Sequence, residues 1–283
     1  MARPGIQKHL DIAHLLRCPL CHEPLHATTC SVRCTHGHDF SISSKGFLNF
    51  IPQQGALKGY DDAFFTSRQR VMEAGYYRAL DEALIQTLES LDLPKDPVII
   101  DVGCGEGSHL KAVASRLGGT CIGIDIAKDA IRCAARGGGA ECWLVADLAN
   151  MPVKDHSVDV ILNVFTPANY AEFQRILKPS GTLVKVVPAP EHMRELRELA
   201  EHNLSHVATQ DHGVAEHLTH HMNLTGRTRT TQTSTVTREL AHDLARMSPV
   251  TFGMDAQSLE LDRLTNITVD AEILCAHSCR PRK

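Results

Sequence analysis

An apolar run breaks into glycines at Val98-Ile99-Ile100-Asp101-Val102-Gly103-Cys104-Gly105-Glu106-Gly107, and no other stretch of this 283-residue chain constrains its fold as tightly. Val98, Ile99, Ile100 and Val102 have the largely β-branched character of a strand buried on both faces, as in a parallel sheet. Gly103, Gly105 and Gly107 remove three side chains, so the turn can take unusual dihedrals and a ligand can lie on bare backbone. Residues 108–117 follow with apolar spacings of three and four, the pattern of a helix. A second strand, 120–125, ends in Asp125. That carboxylate falls about 20 residues past the glycines, where nucleotide-binding α/β folds place an acceptor for a ribose diol. The expected fold is α/β, with a doubly wound, mostly parallel sheet.

Two cofactor classes share this layout. Dinucleotide sites use G-x-G-x-x-G with a pyrophosphate on the helix N-terminus, whereas this chain has G-x-G-x-G preceded by Asp101. A carboxylate there repels a pyrophosphate and suits a sulfonium ligand carrying an amino group. The arrangement resembles class I S-adenosylmethionine-dependent methyltransferases. Val145-Ala146-Asp147-Leu148 matches their third-strand motif, which holds the adenine.

A second feature lies near the N-terminus, where Cys18-Pro19-Leu20-Cys21 precedes Cys34-Thr35-His36-Gly37-His38. The C-x2-C-x12-C-x3-H spacing offers four ligands on two knuckles, suited to a closed tetrahedral zinc site. Cys30 is an extra candidate, His22, His26 and His36 are competitors, and spacing alone does not choose between His36 and His38. So short a segment buries too little apolar surface to fold unaided, so a metal is expected to supply much of its stability.

Together these features resemble the bacterial 23S rRNA (guanine-N1)-methyltransferases. The resemblance rests on Cys-Pro-Leu-Cys-His at 18–22, His38-Asp39-Phe40, Lys45-Gly46-Phe47-Leu48-Asn49-Phe50-Ile51-Pro52 and Ala74-Gly75-Tyr76-Tyr77-Arg78-Ala79-Leu80. It continues through the glycine turn, Ile176-Leu177-Lys178-Pro179-Ser180-Gly181 and Pro190-Glu191-His192-Met193-Arg194-Glu195-Leu196. By this resemblance the zinc ligands are Cys18, Cys21, Cys34 and His38. The implied S-adenosylmethionine contacts are Tyr77, Asp101, Gly103, Gly105, Glu106, Gly107, Ser108, His109, Leu110, Asp125, Ile126, Asp147, Leu148, Asn163 and His192. The resemblance further implies a homodimer and a 23S rRNA hairpin as substrate. Family members modify one or another neighbouring guanine in that hairpin, and some confer resistance to macrolides such as tylosin.

Organisation follows. Residues 1–14 read as a flexible extension, 15–52 as the zinc-binding module, 53–61 as a linker and 62–283 as the methyltransferase domain, with 62–91 helical. No apolar run reaches the roughly 20 residues of a membrane helix, and no signal segment is evident, so a cytoplasmic protein is expected. The net charge of −4 does not suit a generic nucleic-acid binder, but a basic footprint can be local. Arg33, Lys45, Lys58, Arg68, Arg70 and Arg78 are candidates for phosphate contact, with solvated surface charge as the alternative. The histidine-rich stretch His202, His206, His212, His217, His220 and His221 lacks an H-E-x-x-H arrangement and is not expected to bind metal.

Chemistry is expected beyond the fourth strand, 158–164, at Asn163-Val164-Phe165-Thr166-Pro167-Ala168-Asn169. The Asn/Asp-Pro-Pro-aromatic motif of exocyclic-amine methyltransferases is absent there, which is compatible with attack through a ring nitrogen. Phe165 is a candidate to stack on a flipped base, with plain core packing as the alternative. Guanine N1 must lose its proton, and Asp39, Asn163, Asn169 and His192 are all conceivable acceptors, none singled out by the sequence. Two other functions share parts of the pattern: a small-molecule methyltransferase, disfavoured by the zinc module, and a non-catalytic RNA-binding protein, disfavoured by the intact Asp101, Asp125 and Asp147 set.

Overall fold

The computed structural model describes residues 4–51, 59–201, 213–252, 254 and 259–278. Most of the expected 53–61 linker, together with Lys58, His202, His206 and His212, lies outside them. The first unit comprises helix α1 (Pro4–Asp11) and strands β1 (His26–Ala27), β2 (Ser31–Arg33), β3 (Asp39–Ser41) and β4 (Leu48–Asn49). Helices α2 (Asp62–Glu73) and α3 (Arg78–Glu89) follow. Then come β5 (Val98–Val102), α4 (Ser108–Leu117), β6 (Thr120–Asp125), α5 (Lys128–Arg136), β7 (Cys142–Val145), β8 (Val158–Val164), α6 (Tyr170–Ile176) and β9 (Leu177–Pro188). The chain ends with α7 (Arg194–Glu201), α8 (Val214–His221), β10 (Met222–Thr235), α9 (Arg238–Met247) and β11 (Asn266–Ser278).

Eight strands form one sheet in the order β10-β11-β9-β8-β5-β6-β7-β4. Pairing is parallel from β9 through β4, and antiparallel where β11 joins β9 and β10 joins β11. The winding direction reverses between β5 and β8, so their carboxyl ends open a crevice between diverging connections, where α/β sheets bind ligands. All seven residues of β8 are buried, as a central parallel strand demands. Threonine-rich β10 instead alternates in exposure, as an edge strand with one covered face does.

Two expectations need correction. Residues 1–14 do not behave as a flexible extension where they are described: 4–11 form α1, and Leu10, Ile12 and Ala13 are buried. The anchor is His9, fully buried, whose Nδ1 meets the Gly5 carbonyl at 2.9 Å while Nε2 accepts the Trp143 backbone N–H at 3.1 Å. Nor is 62–91 one helix. Gly75, at φ +83°, ends α2, and its N–H bonds to the Met72 carbonyl, a left-handed stop that only glycine adopts freely. The restart at Arg78 turns both Tyr76 and Tyr77 inward.

The N-terminal module is built into the sheet. Strand β4 pairs in parallel with β7, Leu48 opposite Leu144 and Asn49 opposite Val145. Leu16, Leu25, Val32 and Phe40 join a hydrophobic cluster continuous with Ile100, Ile122 and Leu144 of the sheet. The short module therefore has a second source of stability besides a metal.

Burial drives the His9 pKa down to about 4 from an ordinary 6.5. The folded state holds it neutral while the unfolded chain takes up a proton below pH 6.5. Its contribution is thus present above pH 6.5 and lost as pH falls towards 4. Replacing His9 by Gln removes this titration, so urea denaturation from pH 7 to 4.5 should show a shallower loss of stability than in the unaltered protein.

Candidate active site and metal centre

The glycine turn is held from below. Gly103 and Cys104 donate their N–H groups to the Ile124 carbonyl at 2.8 and 3.1 Å, which ties the turn to the end of β6. All three glycines lie at positive φ. A Cβ on Gly103 would fall 2.5 Å from Thr166 Oγ1, and one on Gly107 only 2.4 Å from the Trp143 ring. Asp125 accepts the N–H of Gly105 at 2.9 Å with one oxygen and that of Ala127 at 2.8 Å with the other. Its carboxylate is thereby fixed at the strand end with lone pairs left over for a diol.

Above the turn lies a cleft of about 920 Å³ whose wall includes Tyr77, Asp101, Gly103, Gly105, His109, Asp125, Ile126, Leu148 and His192. Asp101 is buried, its Oδ1 has no hydrogen-bond partner, and its pKa rises to about 7. Burial is the main cause, reinforced by Asp125 and Glu106 and opposed by His109 and Arg68. A buried, unpaired carboxylate beneath bare glycine backbone suits a ligand bearing a cation. Ile126 and Leu148 add apolar surface at the same strand ends.

The other expected contacts lie off this wall. Glu106 turns away to pair with Arg68, Nε to oxygen 2.6 Å. Gly107 packs against Trp143, Ser108 opens α4, and Leu110 is core. Asp147 is exposed, with Oδ1 accepting the Ala149 N–H at 2.8 Å. Asn163 is fully buried below the cleft floor. Arg68 is not a surface phosphate contact, because its guanidinium lies between Glu106 and the Tyr77 ring, 5.7 Å from the ring centre. Arg33 pairs with Asp39 at 2.6 Å and Arg70 with Asp243 at 2.7 Å, while Lys45 and Arg78 are exposed.

Aromatic groups dominate the rest of the cleft. Phe165 holds φ at +52°, a conformation costly for a bulky side chain, and its ring lies 4.8 Å from that of His192. Tyr77 meets both edge-on. His192 Nδ1 accepts the Asp270 backbone N–H at 3.3 Å, which places the ring proton on Nε2, and burial lowers its pKa to about 4. The ring is therefore a neutral donor and does not serve as the proton acceptor considered from sequence. Asp39 belongs to the N-terminal module, where Arg33 holds its carboxyl below the ordinary range. Asn169 caps α6, accepting the Glu172 N–H. Tyr60, Phe64, Tyr170, Lys185, Arg197 and His217 also line the cleft and were not expected there, since no cofactor-site pattern covers their positions.

Cys18, Cys21, Cys34 and His38 converge with their ligand atoms within 4.8 Å of one another. Cys21 and Cys34 sulfurs are 3.6 Å apart, and His38 Nδ1 is 3.5 Å from Cys18 Sγ and 3.4 Å from Cys34 Sγ. A tetrahedral zinc with ordinary ligand distances requires edges of about 3.5–3.8 Å, so the four groups fit that ion. Tight turns at each knuckle place them: His22 N–H bonds to the Cys18 carbonyl, and Gly37, at φ +86°, turns the chain between Cys34 and His38. Cys30, His22, His26 and His36 are exposed and stand outside the group. Among the described residues no other such cluster occurs, and His217, His220 and His221 do not form one.

A doubly wound sheet, a glycine turn over a buried acid and a second acid clamped at the next strand end define a class I S-adenosylmethionine-dependent methyltransferase. The comparisons agree: residues 100–185 match the family model for a methyltransferase domain, and residues 16–56 match that described as RlmA, N-terminal, a zinc ribbon. A Bacillus subtilis protein, YxjB, bearing the name 23S rRNA (guanine-N(1)-)-methyltransferase, is 33% identical over 274 residues, covering 92% of this chain and 96% of its own. The 23S rRNA (guanine(748)-N(1))-methyltransferase of Streptomyces fradiae is 29% identical, covering 96% and 98%. The chain therefore belongs to the 23S rRNA (guanine-N1)-methyltransferase family. Among solved structures, a complex of the Haloferax volcanii Trm112 methyltransferase activator with a methyltransferase matches the fold at TM-score 0.50 and 19% identity, covering 80% of this chain and 100% of that one.

Replacing Cys34 by Ser should abolish stoichiometric zinc, read by elemental analysis of the purified protein. Replacing Gly103 by Ala forces the Thr166 loop off the turn and should weaken S-adenosylmethionine binding about tenfold or more by calorimetry.

Proposed function

We propose that this chain transfers a methyl group from S-adenosylmethionine to N1 of a guanine in a hairpin of 23S rRNA. The observation that carries this reading is the joining of a cation-suited donor site and a Cys3His module by a single sheet, through β4 on β7. A small-molecule enzyme needs no such appendage.

In this reading Asp101 faces the positively charged end of S-adenosylmethionine, Asp125 takes the ribose diol, and Ile126 and Leu148 flank the adenine. Tyr77 and His192 complete the pocket, His192 as an Nε2–H donor. Zinc held by Cys18, Cys21, Cys34 and His38 rigidifies the two knuckles and supplies no reaction chemistry. Phe165 offers a flipped guanine an aromatic face at the end of β8. The S-adenosylmethionine methyl is then transferred in line, with proximity supplying much of the acceleration. A cytoplasmic setting follows from a ribosomal RNA substrate. The homodimer implied by family resemblance belongs to the same proposal and is tested by light scattering.

Incubation with methyl-labelled S-adenosylmethionine and 23S rRNA should put label into RNA, with a reverse-transcription stop at one guanine. Label without a stop, or no label, refutes the assignment. Cation binding favours ionised Asp101, which is largely protonated below pH 7 in the empty cleft. Affinity for S-adenosylmethionine should therefore fall as pH drops from 8 to 6, and Asp101→Asn should bind weakly with that dependence flattened.

A further inference from the structure

Lys185 lies in β9 opposite Asn163 of β8, and only 3% of its surface is exposed. Its Nζ donates to Asn163 Oδ1 at 2.6 Å and to the Thr166 carbonyl at 3.1 Å. Asn163 in turn donates through Nδ2 to the carbonyls of Val102, at 3.3 Å, and Pro167, at 3.2 Å. Val102 leads into the glycine turn, and Thr166 presses on Gly103. One lysine–asparagine pair thus ties the loop after β8 to the donor site.

The two oxygens Lys185 meets are neutral, and among the described residues it forms no ion pair. Burying an ammonium without a counter-ion is costly, and neutral donors would bridge the same oxygens at lower cost. An ammonium has three hydrogens, so one remains beyond the two bonds, and Lys185 lines the cleft. Burial draws its pKa down to about 8, which leaves it mostly charged at neutral pH. The charged or titratable groups sharing this cleft are Asp101, Asp125, Arg68, His109, His192, Arg197 and His217, with the Cys104 thiol and the phenols of Tyr60, Tyr77 and Tyr170.

Guanine presents the complementary charge. Loss of the N1 proton leaves a negative charge shared between N1 and O6, and a fixed cation nearby favours that form. We propose that Lys185 supplies this cation, facing O6 of the bound base while it holds the loop that seats it. The inference rests on the methyl-transfer reading above. The N1 proton passes to water in the open cleft. The N1 electron pair then bonds the methyl carbon as the carbon–sulfur bond breaks and sulfur keeps its pair, while Lys185 keeps its proton.

Three variants test this under saturating S-adenosylmethionine and RNA. Lys185→Gln retains a donor without the charge, Lys185→Met removes both, and Lys185→Arg retains the charge. Gln, which keeps a donor for the Thr166 carbonyl, should lower kcat about ten- to a hundredfold with the Kd for S-adenosylmethionine within about twofold, whereas Met, which frees the Thr166 loop, should lower kcat at least as much and weaken that binding too. The pH at which kcat reaches half its maximum should move up by about one unit in both, and Arg should keep the original profile. If Lys185→Met does not fold, the Gln and Arg pair decides. A Gln variant with unchanged kcat and pH profile, or one whose loss of kcat follows its loss of S-adenosylmethionine binding, overturns the assignment. A parent protein that yields no N1-methylguanosine instead overturns the underlying reading.

Discussion

Trp143 is the wedge on which this architecture depends. Its ring occupies space that a side chain at Gly107 or Gly123 would fill, with a Cβ at either position falling 2.4 Å from it. The glycine turn and the second strand can close only because both positions are bare. The same residue's backbone N–H is received by His9, so helix α1, sheet and turn meet at one fully buried tryptophan. Interiors packed to crystal-like density transmit such constraints undiminished. The donor site's shape is thus set from beneath, by core residues that never reach the cleft.

Legibility from sequence followed the range over which each feature is determined. Strands β5, β6 and β8 and helix α4 are local patterns with strong punctuation, and the structure places them where the periodicity does. The four metal-capable side chains are likewise local, two knuckles each closed by its own turn. What the sequence did not reveal is decided across distance. His9 reads as a polar residue in a flexible extension until Trp143, 134 positions later, is seen to need an acceptor. Arg68 reads as a surface cation until Glu106 and Tyr77 are seen to enclose it. Spacing predicted a continuous helix over 62–91 because apolar positions recur on both sides of Gly75, and only the left-handed backbone there reveals two.

Within the cleft, the acids divide their work by what already binds them. Asp125 has a backbone N–H on each oxygen, which orients it and opposes the upward pull of burial on its pKa. Asp101 has an oxygen with no partner and rises to about 7, so it awaits a charge. Glu106, in the turn between them, is spent on Arg68. Three carboxylates within a short span of structure therefore act as anchor, receptor and strut, a separation made by burial and partner and not by residue type.

The parallel pairing of β4 with β7 has a consequence beyond joining two units. A parallel strand at the rim of a sheet carries open N–H and C=O groups that recruit any extended chain nearby, and proteins shield such rims. Here the shield is two residues long and belongs to a segment whose shape relies on four converging thiol and imidazole groups. The knuckles thus double as a seal: without an ion at the four groups, the hold of Leu48 and Asn49 on Leu144 and Val145 would rest on the module's apolar contacts alone.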